Sequence, residues 1–264
     1  MTAEPTTETM IFERVVCGVD GSEAGAIAAR SAARVAAPDG ELVLVSVDDP
    51  SIAVHAGYGM AQVAEELARE ARRALERGEA EATAGHRAET RLLEGDPLHC
   101  LLAEIERRDA TLIVVGTHGH SRASGIALGS VTTYMLHEAP CAVLVARGSI
   151  DFERWPRSIV VGVDGSPESR AAFAAAKQLA DRFGSELRAI VATDDTNVDV
   201  EAARKIAPDV EEHEARAVDA LSVLAERAAL VVVGSRGLRG LAALGSVSER
   251  IAHDARSSVL VVRS

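Results

Sequence analysis

The residues best suited to chemistry lie between Leu112 and Thr132, LIVVGTHGHSRASGIALGSVT. Leu112 to Val115 form an apolar run that reads as a strand buried on both faces. The chain then breaks into a loop punctuated by Gly116, Gly119 and Gly129, and Ser130 leads into VTTYMLHEA, which reads as a helix. Strand, glycine loop and helix N-terminus in that order make an anion cradle. Backbone N–H groups point outward, the helix dipole favours negative charge, and glycine lets a phosphate approach the main chain. The expected guest carries phosphate.

A second chemical group precedes it in the chain. VVCGVDGS at 15–22 ends a strand on Asp20, and Ser22 is placed to cap the helix that follows. Asp-Gly is common turn chemistry, so Asp20 alone reads equally as a turn residue. The pattern, however, comes twice. IVVGVDGS at 159–166 repeats the first strand with Asp164, and LVVVGSRG at 230–237 repeats the fourth, so the 264 residues divide into two domains. We expect a tail over 1–11, a first domain over 12–147, a linker over 148–157 anchored by Trp155, and a shortened second domain over 158–264.

The spacing of Gly116, Gly119 and Gly129-Ser130, together with Asp20 after its strand, resembles the nucleotide motif of the universal stress protein family. The resemblance covers nearly the whole chain in a tandem form. It implies two Rossmann-like α/β domains, each with a mostly five-stranded parallel sheet of order 3-2-1-4-5. The family includes members that bind ATP and members that do not, and cyclic AMP is a ligand of some. In that order the switch point falls between strands one and four, where open α/β sheets bind ligands. Asp20 and Gly116 then meet in one crevice. Asp20 and Val47 are expected to face adenine and its sugar. The backbone around Gly116, Gly119, Gly129, Ser130 and Val131 is expected to hold the phosphates, with the Thr132 hydroxyl near the terminal one. His118, His120 and Arg122 lie in the loop, and the two histidines read as exposed rather than as a metal pair. The expected cofactor is ATP with Mg²⁺.

The elements that position these groups are legible in outline. Helices are expected from Ser22 to about Ala37, from Ala61 to about Arg77 and from Asp96-Pro97 to about Arg107. ELVLVSV at 41–47, Glu89 to Leu93 and CAVLVA at 141–146 supply the other strands of the first half. The loop at 50–60 reads as a connector. In the second half the long second helix is largely missing, with a stub near Glu201 to Ile206, and SSVLVV at 257–262 reads as a final edge strand. Gly237 and Gly245 stand two residues closer than Gly119 and Gly129, which remodels the cradle. Gly234, Gly237, Gly245, Ser246, Ser248 and Asp164 are the weaker second set. Family members commonly dimerise through strand five, so the chain resembles a covalent pseudo-dimer, with a homodimer of whole chains still open.

Composition narrows the function classes. The net charge of −12 argues against nucleic acid, and only Lys177 and Lys205 are lysines. The first half has none, which removes a phosphorelay receiver despite Asp48 and Asp49. Without a GxxxxGK[ST] lysine, an ATPase lacks parts. Cys17, Cys100 and Cys141 have no metal spacing and read as small buried hydrophobes. No stretch resembles a signal peptide or a membrane span, so a cytoplasmic location is expected. A regulatory nucleotide-binding module with unknown protein partners is the leading expectation. A nucleotide-free scaffold and a slow ATPase stand behind it.

Overall fold

The structure, a computed structural model, describes residues 12–51, 60–82, 87–118, 128–148, 154–196, 198–235 and 247–263. In the first half, β1 (Arg14–Gly18), α1 (Glu23–Val35) and β2 (Glu41–Asp48) lead into α2 (Met60–Glu81) and β3 (Glu89–Glu94). Then follow α3 (Pro97–Arg108), β4 (Leu112–Gly116), α4 (Ser130–Glu138) and β5 (Ala142–Ala146). The second half runs β6 (Ser158–Gly162), α5 (Pro167–Phe183), β7 (Glu186–Ala192), α6 (Val200–Ile206) and β8 (Glu211–His213). It ends with α7 (Ala217–Ala225), β9 (Leu230–Ser235), α8 (Val247–Asp254) and β10 (Ser258–Arg263).

Among the described residues ten strands form one sheet, in the order β3-β2-β1-β4-β5-β10-β9-β6-β7-β8. Each half has the expected 3-2-1-4-5 order. Within a half the pairings are parallel, and the seam between β5 and β10 is antiparallel, with Val145 opposite Val259 and Val143 opposite Val261. The expectation of an edge strand at 257–262 is thus corrected. β10 is central, because the apolar edges of the two halves satisfy each other's backbone groups. The true edges, β3 and β8, carry Glu89, Arg91, Glu94, Glu211 and Glu212, and such charge discourages further pairing.

Strand alternation sends side chains to two cores. Val15, Cys17, Leu42 and Leu44 face α1 and α2, and their core continues through the seam to Ala172, Ala176 and Leu179 of α5. Val16, Val43 and Val45 face α3 and α4, and that core continues to Leu221 of α7 and Ile251 of α8. With few aromatics, close approach does the packing: Ala28, Ala29 and Ala32 of α1 are fully buried, as are Ala172, Ala175 and Ala176 of α5. Cys17 and Cys141 are buried as expected, and burial raises both thiols, Cys141 to about 11. Cys100 is only half-buried, contrary to expectation.

Side chains reinforce the seam in a near-symmetric exchange. Arg147, just after β5, donates to the Ala252 and Ala255 carbonyls (2.7 Å for Ala255) at the end of α8. Arg263, at the end of β10, donates to the Leu136 carbonyl of α4 at 2.5 Å. The two arginines occupy equivalent places in CAVLVAR and SSVLVVR, and each caps a helix C-terminus of the other half. His137 and Glu249 add a contact at 3.1 Å. On the other face Arg182 donates to Val35 and Ala36 carbonyls at 3.1 and 2.8 Å. Trp155, 1% exposed, contacts both halves: its indole N–H donates to Ala229 and its carbonyl accepts from Arg34 Nε.

Boundaries differ modestly from the sequence reading. α1 stops at Val35, α2 runs to Glu81, and the expected stub is α6. β8 and α7 were not foreseen. In the first half, α3 is pinned by Glu104, which is buried yet accepts hydrogen bonds from Arg107 (2.6 and 2.8 Å) and Arg108 (2.8 Å).

Arg147→Met keeps the apolar stem and removes the donors to α8, so it should cost about 1–3 kcal/mol in chemical denaturation. An unchanged midpoint and slope would show that the clamp carries no stability. The hydrogen bonds from Arg107 and Arg108 hold the Glu104 carboxyl at about 2, below its ordinary 4.5. Its contribution is therefore complete above the ordinary value and drains away as the pH falls through about 2. Because Arg107 is half exposed, we expect roughly 1–2 kcal/mol from this group. Glu104→Gln should flatten the acid limb of stability against pH, and an identical limb would refute the assignment.

Candidate functional site

The crevice forms where the chain reverses direction across the sheet. From β1 it crosses to β2 on one side, and β4 lies on the other. At the end of β1 the Asp20-Gly21-Ser22 turn requires a positive φ of 81° at Gly21, a conformation that glycine adopts freely. Asp20 Oδ1 accepts from the Ser22 N–H (3.0 Å) and hydroxyl (2.6 Å), and Ser22 Oγ in turn accepts from the Gly25 N–H at 3.0 Å. The aspartate thus sets the turn and the cap of α1 together.

That cap brings the first turn of α1 hard against β4. A Cβ on Gly116 would lie 2.7 Å from the Ala24 backbone carbon and oxygen, and one on Gly25 would lie 2.7 Å from Asp20 Oδ1. Gly116 is therefore required by helix packing. Beyond the loop, Gly129 is the N-cap of α4 and offers no side-chain hydrogen bond. Its own N–H donates to the Thr117 carbonyl at 2.8 Å. The Ser130, Val131 and Thr132 N–H groups are the ones left without an intrahelical partner, at the positive end of the helix dipole. The Thr132 hydroxyl is buried and donates to the Gly116 carbonyl at 2.6 Å, tying α4 to the end of β4.

These elements enclose a cavity of about 410 Å³. Of the residues expected there, Asp20, Val47, Gly116, Gly129, Ser130, Val131 and Thr132 all line it. Gly119, His120 and Arg122 lie outside the described residues. His118 was expected to be exposed, yet it lines the cavity, and its Nε2 is buried with no partner among the described residues. The sequence reading missed the wall from α2, Leu67, Glu70 and Ala71, and the Leu101 floor from α3. Only the inward stripe of α2 hinted at it. Arg77 of α2 donates to the Gly21 carbonyl at 2.8 Å, joining that wall to the turn.

The second half repeats the corner with changes. Asp164 Oδ1 accepts from the Ser166 N–H and hydroxyl at 2.9 and 2.5 Å, and Gly165 takes a φ of 89°. A Cβ on Gly234 would lie 2.5 Å from the Glu168 backbone. Where the first half has Gly25, the second has Ser169, buried against this turn. Burial opposes the charge on Asp164, but hydrogen bonds from Ser166 and Ser169 outweigh it and hold the carboxyl below its ordinary range. The cavity here is smaller, about 260 Å³, and Asp164 and Gly234 line it. Ser248 is buried in α8 and does not line it, whereas Val247 does. Gly237, Gly245 and Ser246 lie outside the described residues.

Among the described residues no group of three His, Cys, Asp or Glu side chains is placed to hold a metal ion, and no helix is long and apolar enough to cross a membrane.

The universal stress protein family model matches residues 11–147, 156–226 and 200–263. A universal stress protein of Mycolicibacterium smegmatis is 32% identical over 286 aligned positions, covering 94% of this chain and 96% of that protein. A universal stress protein of Mycobacterium tuberculosis is 35% identical over 185 positions, 59% of this chain and 62% of its own length. Among solved structures, a universal stress protein from Archaeoglobus fulgidus superposes with a TM-score of 0.70 at 22% identity, covering 96% of this chain and 97% of that one. One from Pseudomonas aeruginosa gives 0.67 at 21%, covering 96% and 94%. The chain belongs to the universal stress protein family, in the form that carries its fold twice in tandem.

Proposed function

We propose that the chain is a cytoplasmic regulatory stress-response protein that binds an adenine nucleotide, ATP with Mg²⁺, through the crevice of its first half. The observation that carries this reading is convergence. Asp20 and Gly116, far apart in sequence, end neighbouring strands and share one 410 Å³ cavity with the uncapped N-terminus of α4. In our reading Asp20 and Val47 take the adenosine end. The N–H groups of Ser130 and Val131 take phosphate, with Gly119 completing the loop. Gly116 and Thr132 hold that loop in place through the α1 contact and the Thr132–Gly116 hydrogen bond. His118 Nε2 is a further partner for the ligand, since a buried ring nitrogen without a hydrogen bond is costly unless a ligand supplies one.

We assign the second half a weaker or absent nucleotide site. Its cavity is smaller, and Ser169 engages the turn where Gly25 leaves Asp20 room. The domain boundaries we assign are 12–147 and 158–264, joined by 148–157. The reading is one of binding, not turnover. Asp20 stands at the base end, so the transferred phosphate would lie out of its reach. Association of whole chains, if it occurs, must use a surface other than strand five, because β5 and β10 pair with each other.

Calorimetric titration with Mg-ATP, ADP and cyclic AMP tests this. Gly129→Asp places a carboxylate at the anion site and should weaken ATP at least a hundredfold, while Asp164→Asn leaves affinity within about twofold. Full ATP affinity in Gly129→Asp would place the site elsewhere. Gly25→Ala makes a separate prediction. Its methyl displaces the Asp20 carboxylate and should weaken ATP about tenfold or more; unchanged affinity would remove Asp20 from the site.

A further inference from the structure

A different cavity, of about 390 Å³, opens where β5 leaves the sheet and β6, β9 and β10 enter it. Because the seam is antiparallel, this corner lies on the same edge of the sheet as the first-half crevice. Among the described residues its lining includes Arg147, Arg154, Arg157, Arg227 and Arg256 against one acid, Glu226. Such an excess of cations is unexpected in a chain of net charge −12. Arg147 is accounted for by the α8 carbonyls. The other four are exposed, and none of them makes an ion pair among the described residues.

The repeat carries a different set of charges at the matching corner. In the first half Arg14 opens β1, and its guanidinium reaches Asp109 Oδ2 at 3.0 Å and the Asp109 carbonyl at 2.6 Å. Glu13 precedes Arg14. At the matching places the second half has Arg157 for Glu13, Ser158 for Arg14 and Arg227 for Asp109. Both acids that flank Arg14 in the first half have become arginines. Arg256 stands where the first half has Pro140. The fold alone therefore has no need of this charge.

Two further features point to a ligand. Ser257 lines the cavity, is 9% exposed, and its hydroxyl oxygen is buried with no partner among the described residues. Trp155, buried with its N–H bonded to Ala229, supplies an apolar wall. Convergent cations beside an apolar wall, with a spare neutral donor, are the ordinary composition of a phosphate-recognising pocket.

We propose that this corner is a second anion site, distinct from the nucleotide crevice, which takes a small phosphorylated compound bearing at least two negative charges. Arg154, Arg157, Arg227 and Arg256 hold its phosphates, and Ser257 donates to a phosphate oxygen. The site does not depend on nucleotide in the first half.

Trp155 is the only tryptophan of the chain and reports directly on its own cavity. The full-length protein is titrated with inorganic pyrophosphate at low salt while Trp155 emission is followed, with calorimetry in parallel. We expect saturable binding that weakens as salt rises. It should weaken at least tenfold in Arg157→Glu/Arg227→Glu and about threefold in Ser257→Ala, and stay unchanged in Gly129→Asp. Arg256→Gln, a milder exposed change, guards against misfolding of the double variant and should also weaken binding. The absence of both heat and an emission change with pyrophosphate overturns the proposal. So does unaltered affinity in both arginine variants, or loss of binding in Gly129→Asp, which would place the anion in the crevice.

Discussion

The antiparallel pairing of β5 with β10 is the contact on which the rest of the molecule depends. Each half ends its sheet on an apolar strand, Ala142–Ala146 or Ser258–Arg263, that in isolation would expose a row of unpaired backbone groups. Pairing them satisfies both and fuses two cores on each face into continuous layers. It also reverses strand polarity at the centre. The two switch-point crevices consequently open on opposite edges of the sheet, and the arginine corner shares an edge with the first. Arg147 and Arg263 lock the arrangement by capping helices across the seam. Two domains on a string would have neither the caps nor the corner.

Within each half the controlling feature is smaller: a helix turn pressed onto a strand end. Asp20 fixes Ser22, Ser22 caps α1, and α1 then sits so close to β4 that only glycine fits at Gly116. The second half keeps this device through Asp164, Ser166 and Gly234. It keeps little else. α6 has seven residues where α2 has 22, so the wall formed by Leu67 and Ala71 has no full counterpart. Keeping the packing device while losing the wall gives two halves of one fold with cavities of unequal size, about 410 and 260 Å³.

The parts of this architecture that were legible in the sequence are those that repeat or that obey strong local rules. The DGS turns, the buried strands and the Asp96-Pro97 helix start fall where capping and patterning put them. β8 was not foreseen because Glu-Glu-His has no apolar alternation, and it pairs only because β7 lies beside it. The roles of individual groups were harder to see. Spacing placed Thr132 and Gly116 at the cavity but could not show that they bond to each other, nor that Gly116 answers to Ala24. His118 read as an exposed loop residue because its buried Nε2 depends on contacts distant in sequence. The arginine corner draws on residues 147 to 256, so no window of the sequence shows it, although comparing the two repeats does.

Binding through the first half alone is what the proposed function rests on. Native mass spectrometry of the intact chain at low micromolar Mg-ATP counts occupancy directly. We expect one nucleotide per chain. A chain that carries none under those conditions, or that fills two equivalent sites with equal affinity, would contradict it.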